Sequence, residues 1–256
     1  MSKLLRWAAP AGVALSVLGV WQAAIAWFQT PEYLLPAPTA IGSELIESWP
    51  TLGPAWLATL RTMGVALTLA VLGGVGMAVA FSVSRVLELS LLPYAIVLQV
   101  TPLIAMAPLL MIWVDQTGVV LIFCAWIIAF FPILASTAVG LRSADPGLRD
   151  LFDLYGATRW QRVRLLLAPT ALPYFLAGLR TAVNLSLVGA VVAEFVAGSS
   201  GEQAGLAGVI FEGQYRLDTP LLFAALALVS LTGVAGYLAV EGLSRWLLGR
   251  WHESGV

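Results

Sequence analysis

The polar residues of one segment, 149–173, are the ones in this chain best suited to a chemical task. The segment carries four arginines and two aspartates, with Gly156 in its first third and prolines at its end, between two long apolar stretches. Asp145-Pro146 just upstream predicts a helix start, since aspartate accepts hydrogen bonds from free backbone amides and proline suits the first helical position. This pattern favours a surface that docks another molecule over a catalytic centre.

A short amphipathic helix is predicted after Asp145. Apolar side chains recur at helical spacing from Leu148 to Tyr155, and Gly156 suits a left-handed helix end. Such a helix, offered to water, can bury its apolar face in a groove of a partner protein. It can also lie on the membrane surface beside anionic lipid, which the arginines favour as well. The residues alone leave both alternatives open.

The elements that position this segment are membrane spans. Of the 256 residues 60% are hydrophobic and 11% charged, and the mean hydropathy is +0.91. Soluble domains carry about 25% charged residues, so an integral membrane protein is indicated. We expect one all-α, polytopic helical bundle over residues 1–256. Six stretches reach the roughly 20 residues that a bilayer core requires: 8–28, 57–82, 89–113, 118–141, 174–197 and 220–248.

The first apolar stretch has two interpretations, a cleaved signal peptide or a retained helix, and its length favours the helix. With six spans, both termini lie on one side. Placing that side in the cytoplasm gives it ten basic residues against one, Arg216, on the opposite side, a strong positive-inside pattern. Those ten are Lys3, Arg6, Arg85, Arg142, Arg149, Arg159, Arg162, Arg164, Arg245 and Arg250. The segment 142–173 is therefore predicted to be cytoplasmic.

Polar residues at membrane depth are candidates for a translocation path, because they are costly in lipid. These candidates are Gln99, Thr101, Ser136, Thr137, Asn184, Ser186 and Glu194. The hydroxyl groups have a structural alternative, a bond to a carbonyl of their own helix. Glu194 has another, a paired or solvated carboxylate near the outer end, and Arg180 can simply extend its head group to the interface.

Several chemistries lack the residues they need. The single histidine, His252, and the single cysteine, Cys124, leave no metal site, disulfide or Ser/His/Asp triad, and we expect no catalytic residue. The only lysine is Lys3, so no phosphate-binding loop ending in Gly-Lys-Ser/Thr is present. Nothing indicates nucleic-acid binding. An ion-coupled secondary transporter, which needs carboxylates near the midplane, and a non-transport scaffold are the alternatives to an ATP-driven transporter.

The segment around Gly156 resembles the EAA loop of ABC-importer permeases. Gly156 matches the glycine of that loop, Leu166 its isoleucine and Ala168-Pro169 its Leu-Pro, whereas Asp150-Leu151-Phe152 replaces Glu-Ala-Ala. The stretches LLPAPTAIGSEL, FFPILASTAVGLRSADP and ATRWQRVRLLLAPTALPYFLAGLR, and AEF with the following GSSG, are similar to permeases of the nitrate/sulfonate/taurine type.

This resemblance implies a type I importer permease of the bacterial inner membrane, with both termini in the cytoplasm. Its partners would be cytoplasmic ATPase subunits, which bind ATP and Mg, an extracytoplasmic solute-binding protein and a second copy of the chain; this chain would hold no cofactor. Nitrate, a sulfonate, taurine or a vitamin precursor such as a pyrimidine or riboflavin would be the solute. The residues implied to couple to the ATPase are Asp145, Leu148, Asp150, Leu151, Phe152, Tyr155, Gly156 and Arg159.

Overall fold

A computed structural model of the chain describes residues 3–198 and 205–249, and every regular element within them is helical. The all-α prediction is confirmed. The helices are α1 (Lys3–Phe28), α2 (Pro38–Glu47), α3 (Trp49–Val83), α4 (Arg85–Val100), α5 (Leu103–Trp113), α6 (Thr117–Arg142), α7 (Pro146–Leu154), α8 (Arg159–Arg162), α9 (Ala168–Ala197), α10 (Leu206–Arg216) and α11 (Thr219–Leu248), and a π-helical turn (Val163–Leu167) joins α8 to α9. Arg250 and His252 lie outside the described residues, as does most of the GSSG motif.

Five helical stretches are long and apolar enough to cross a membrane: α1, α3, α6, α11 and the continuous stretch from α8 through α9. A sixth crossing is obtained if α4 and α5 count as one span, although the two helices meet at an angle of 107°. The predicted range 89–113 therefore falls on two helices. The break lies at Thr101-Pro102, where proline lacks the N–H that would continue the helix.

The centre of the bundle is formed by α3, α6 and α9, which pack closely because glycines stand at the crossings. A Cβ atom added at Gly178 of α9 would lie 2.7 Å from the carbonyl oxygen of Pro132 in α6. At Gly74 of α3 it would lie 2.8 Å from the Ile133 side chain. Small residues allow the helix backbones to approach this closely. In lipid the hydrophobic effect does not drive helices together, so close van der Waals packing contributes to their association.

A second apolar cluster joins α2, α3, α10 and α11, with Leu52 and Leu206 fully buried in it. Neither α2 nor α10 is among the predicted spans, because at ten and eleven residues both are too short to cross a bilayer. Their packing against α11 and α3 places a compact helical layer at the end of the bundle opposite α7. The two ends of the bundle therefore carry different short helices.

Candidate functional site

Helix α7 begins and ends as its residues predict. The Asp145 Oδ1 atom accepts a hydrogen bond of 3.1 Å from the backbone N–H of Leu148, and Pro146 is the first helical residue. At the other end Gly156 is left-handed, with φ of +62°. The N–H of Ala157 donates to the Phe152 carbonyl at 2.9 Å and that of Gly156 to Asp153 at 3.0 Å. These two hydrogen bonds together form a Schellman motif, which fixes where the helix ends.

One apolar side chain of α7 packs against the core, and the other apolar side chains of this segment are exposed. Phe152 packs against the central core cluster. The apolar residues that remain exposed at the end of the bundle, termed the α7 surface below, are Leu148, Leu151, Leu154 and Tyr155. Leu154 and Tyr155 keep 84% and 80% of their surface exposed. An isolated leucine on a surface is ordinary, but a contiguous apolar patch on one short helix marks an interaction site.

Polar contacts hold the segment around α7 in place. The Arg149 guanidinium donates to the carbonyls of Leu141 and Arg142 at the end of α6, at 3.2 and 2.7 Å. Arg162 forms an ion pair with Asp153 across the turn. Thr158 and Gln161 form a capping box that starts α8. The α7 surface is thus presented on a braced segment and not on a loose loop.

A buried glutamate lies beside this segment. Glu88 of α4 is 5% exposed, and its two carboxylate oxygens pair with Arg85, at 2.7 Å, and with Arg142 at the end of α6. Arg85 and Arg142 were assigned to the cytoplasmic side by charge counting, but their shared partner was missed. Glu88 and Arg142 are 54 residues apart in sequence, and no local spacing signals such a pair.

The predicted path residues do not come together at one place. Gln99 is exposed on α4, and the Thr101 hydroxyl donates to the Val97 carbonyl at 2.7 Å. Ser136 lies at the α6–α9 crossing against Gly178, and Thr137 is buried beside it. These hydroxyls lie at helix breaks and crossings.

On α9 the candidates point in different directions. Ser186 is fully buried and donates to its own helix at the Val183 carbonyl, 2.8 Å away. Asn184 is exposed. From Tyr174 onwards the exposed residues of α9 follow each other at spacings of three, four and seven, which places them along one side of the helix. They are termed the α9 stripe below: Tyr174, Ala177, Thr181, Asn184, Val188 and Phe195.

Glu194, the last candidate on α9, is 3% exposed and connects three helices. Its Oε2 atom accepts from the Thr59 hydroxyl of α3 at 3.0 Å and from the Ala207 N–H of α10 at 3.3 Å. The Thr59 hydroxyl oxygen in turn accepts from the Leu206 N–H at 2.9 Å. Together Glu194 and Thr59 satisfy the free amides at the start of α10, the task of an N-cap, although they come from other helices.

Arg180 has a partner that the sequence analysis did not anticipate. Its guanidinium pairs with Glu241 of α11 and stands 5.4 Å from the ring centroid of Tyr237, a cation–π arrangement. Glu241 also pairs with Arg245 at 3.0 Å. The positive charge of Arg180 is therefore stabilised by an ion pair within the bundle, and the side chain does not need to extend to the membrane interface.

Comparison with known proteins identifies the family. Residues 70–249 match the model of the binding-protein-dependent transport system inner membrane component. A riboflavin transport system permease protein of Chloroflexus aurantiacus is 36% identical over 241 residues, covering 93% of this chain and 88% of that protein. A formylaminopyrimidine transport permease protein of Halalkalibacterium halodurans is 31% identical over 235 residues, covering 91% and 92%.

More distant matches agree with these two. A taurine transport system permease protein of Escherichia coli is 26% identical over 240 residues, covering 91% of this chain and 85% of that protein. The crystal structure of an amino acid ABC transporter with histidines has a TM-score of 0.63 at 18% identity, covering 78% of this chain and 95% of that chain, and supports the fold. The chain therefore belongs to the inner membrane components of binding-protein-dependent transport systems, the permease subunits of ABC importers.

Proposed function

We propose that the chain is one half of a homodimeric pore that imports a small solute, driven by ATPase subunits that dock on the α7 surface. An extracytoplasmic binding protein would deliver the solute, and both termini would be cytoplasmic. ATP and Mg would be bound by the ATPase, with no cofactor in this chain. The observation that carries this proposal is the exposed apolar face of α7 on a braced segment.

The α7 surface favours docking to a protein over attachment to lipid. Phe152, the residue of α7 that faces the core, fixes the helix to the ends of the spans. Arg149 and Arg162 tie the same segment to α6 and to the turn. A braced helix transmits a push or pull to α6 and α9, as the coupling of ATP hydrolysis to transport requires.

The α9 stripe is the surface best suited to the solute path and to the second copy. It contains two aromatic residues, the polar residues Thr181 and Asn184, and small or β-branched residues. None of these residues is charged. An exposed asparagine is costly against hydrocarbon, so a partner chain or a watery path is the better environment for Asn184. Arg180, one residue before Thr181, is already paired with Glu241.

We propose a vitamin-type heterocycle, related to riboflavin or an aminopyrimidine, as the solute. Relatives at 36% and 31% identity are named for riboflavin and formylaminopyrimidine, whereas the taurine permease is 26% identical. The α9 stripe agrees with this class, because aromatic and amide side chains can stack on and hydrogen-bond to an uncharged ring.

Docking is tested by placing a charge in the α7 surface. Leu151→Asp should abolish co-purification of the ATPase subunit co-expressed from the genes flanking this one, because the carboxylate would be desolvated in the contact. Leu151→Met conserves volume and should leave the complex intact. Retention of the ATPase by the Asp variant would contradict the proposed docking.

Coupling is tested at Gly156. Gly156→Val should uncouple ATP hydrolysis from transport, since a β-branched residue resists φ of +62° and shifts the end of α7. Apart from its two chain neighbours, no atom of the described residues lies within 4 Å of the added Cβ position, so the effect comes from the backbone and not from a clash. Gly156→Asn, which tolerates the left-handed conformation, is the control. Unchanged transport in the Val variant would count against the coupling role.

The solute class is tested with the assembled importer in nanodiscs. Its ATPase activity should rise with the flanking-gene binding protein loaded with riboflavin or an aminopyrimidine. Stimulation by taurine or nitrate alone would reject the heterocycle while leaving the importer function intact.

A further inference from the structure

A cleft of about 250 Å³, lined by several charged side chains, opens between the span ends and the stretch from α7 through the π-helical turn (146–167), termed the α7 segment below. Its walls come from the last turn of α3, the first turn of α4, the end of α6, and from α7, α8 and the π-helical turn. The charged residues that line it are Arg85, Glu88, Arg142, Arg149 and Arg162. Phe81 and Leu167 form part of its apolar wall.

The cleft carries a surplus of positive charge. Glu88 pairs with two of its arginines, and Asp153 pairs with Arg162 from outside the lining. Four guanidinium groups thus face two carboxylates, which leaves a formal surplus of two positive charges. Arg149 forms no ion pair within the described part of the chain and donates only to backbone carbonyls.

The cleft also has hydrogen-bond donors that lack acceptors. The Nε atoms of Arg149 and Arg162 are buried and have no hydrogen-bond partner among the residues that the structure describes. Each guanidinium has five N–H donors in a planar fork, and the Glu88 carboxylate occupies only part of those on Arg85 and Arg142. A buried donor without an acceptor is costly, so an oxyanion with several acceptor oxygens would stabilise this cleft.

We propose that the cleft binds a phosphate group, carried by an anionic lipid head group or by free phosphate. Arginine forks match phosphate oxygens two at a time and are the preferred protein ligands for this group. Basic pockets between span ends on the cytoplasmic side are known to suit anionic head groups. The proposal uses the cytoplasmic orientation given above but is independent of the solute and of the ATPase.

A phosphate bound here would contact both the spans and the coupling segment. Arg85 and Arg142 belong to the ends of α4 and α6, whereas Arg149 and Arg162 belong to the segment that carries the α7 surface. The ligand would therefore cross-link these two parts and limit their relative motion.

The test uses the full chain, purified in nanodiscs of phosphatidylcholine with increasing phosphatidylglycerol. Retained phosphatidylglycerol is counted by native mass spectrometry, and inorganic phosphate is titrated separately into nanodiscs of phosphatidylcholine alone. Saturable binding in the first arm identifies a lipid head group, and saturable binding in the second identifies free phosphate. Binding in neither arm overturns the proposal.

Matched variants separate a built site from general attraction to a basic surface. Arg142→Gln and Arg85→Gln should each weaken binding roughly fivefold, the effect expected of one arginine near an anionic head group. Arg164→Gln removes the same charge from the same segment outside the cleft and should leave binding unchanged. An equal loss in all three variants would overturn the proposal.

Glu88→Gln should change phosphate binding in the opposite direction to the arginine variants. It removes the negative charge from the cleft and keeps an acceptor oxygen for Arg85 and Arg142, so binding should strengthen several-fold. A variant that merely fails to fold cannot bind more tightly. Weaker or unchanged binding by a folded Glu88→Gln protein, judged by its elution volume and unfolding temperature, contradicts the inference.

Discussion

Two buried glutamates stand near opposite ends of the bundle and are stabilised in different ways. Glu88, beside the α7 segment, faces two arginines, which remain 71% and 56% exposed at their side chains. Glu194, beside α10, is bonded to a hydroxyl and a backbone N–H, and no arginine pairs with it in the described part of the chain. One end is thus held by charge pairing near water, and the other by hydrogen bonds from uncharged donors to a carboxyl group inside the protein.

Because the two glutamates are stabilised differently, the stability contributed at each end should respond differently to salt and to mutation. Charge pairs at partly exposed sites contribute little and respond to salt, because water and ions screen them. Buried hydrogen bonds that satisfy helix ends contribute more and are insensitive to salt, because their loss leaves desolvated groups without partners. The contacts at the Glu88 end should therefore respond readily to salt and to mutation, and those at the Glu194 end should contribute more to stability.

The largest effect is expected from Glu194→Ala. Loss of the carboxyl group leaves the Thr59 hydroxyl and the Ala207 N–H without their acceptor and opens a cavity, which should lower the free energy of unfolding by about 2–3 kcal/mol. The measurement is thermal unfolding of the full chain in detergent. Glu194→Gln, which keeps one acceptor oxygen, should lose less than half as much. Equal losses for the two variants would contradict this, because they would show that neither the retained volume nor the retained acceptor oxygen of the Gln side chain stabilises the site.

Thr59→Val should have the next largest effect. It preserves the shape of the side chain but removes the bonds to Glu194 and to the Leu206 N–H, at a cost of roughly 1–2 kcal/mol. Thr59→Ser retains the hydroxyl and serves as the control. Because both residues cap α10, the losses from Thr59→Val and Glu194→Ala should be less than additive in a double-mutant cycle. Full additivity would separate the two groups and reject the shared network.

Glu88→Ala should cost less, about 1 kcal/mol, because Arg85 and Arg142 can turn towards water when their partner is removed. The same unfolding measurement applies, with Glu241→Ala as a second paired glutamate for comparison. A loss larger than that of Glu194→Ala would reverse the comparison between the two ends.

Salt should produce the smallest effect, a few tenths of a kcal/mol. Raising NaCl from low to high concentration should reduce the difference in unfolding free energy between the wild-type protein and Glu88→Ala. The corresponding difference for Glu194→Ala should stay constant. A salt-dependent Glu194 difference would indicate that its environment is more charged than the described contacts show.

The residues predicted most successfully are those whose structure is decided locally. Helix α6 (Thr117–Arg142) matches the predicted range 118–141 because its apolar run is long and ends at a charged residue. Asp145 and Gly156 bound α7 as expected, since capping depends on neighbouring backbone groups.

The contacts that were missed join residues far apart in sequence. Glu88 pairs with Arg142, Arg180 with Glu241, and Glu194 with Thr59, each across more than 50 residues. Side-chain spacing cannot reveal such pairs, because they depend on which faces of the spans meet. Helix α10 was missed for a related reason: its first residue follows Gly205, and its caps are supplied from α3 and α9.

Helix α3 runs past both glutamate sites. Its Thr59 bonds to Glu194, and its Phe81 and Ser82 line the arginine cleft. At 1.5 Å per residue these positions are roughly 35 Å apart on one helix, and no proline interrupts it between them. A rod of this kind cannot shorten, so an axial shift at the Phe81 end of α3 is transmitted to the Thr59 end. Opening on one side of the membrane and closing on the other would then result from the same movement of α3.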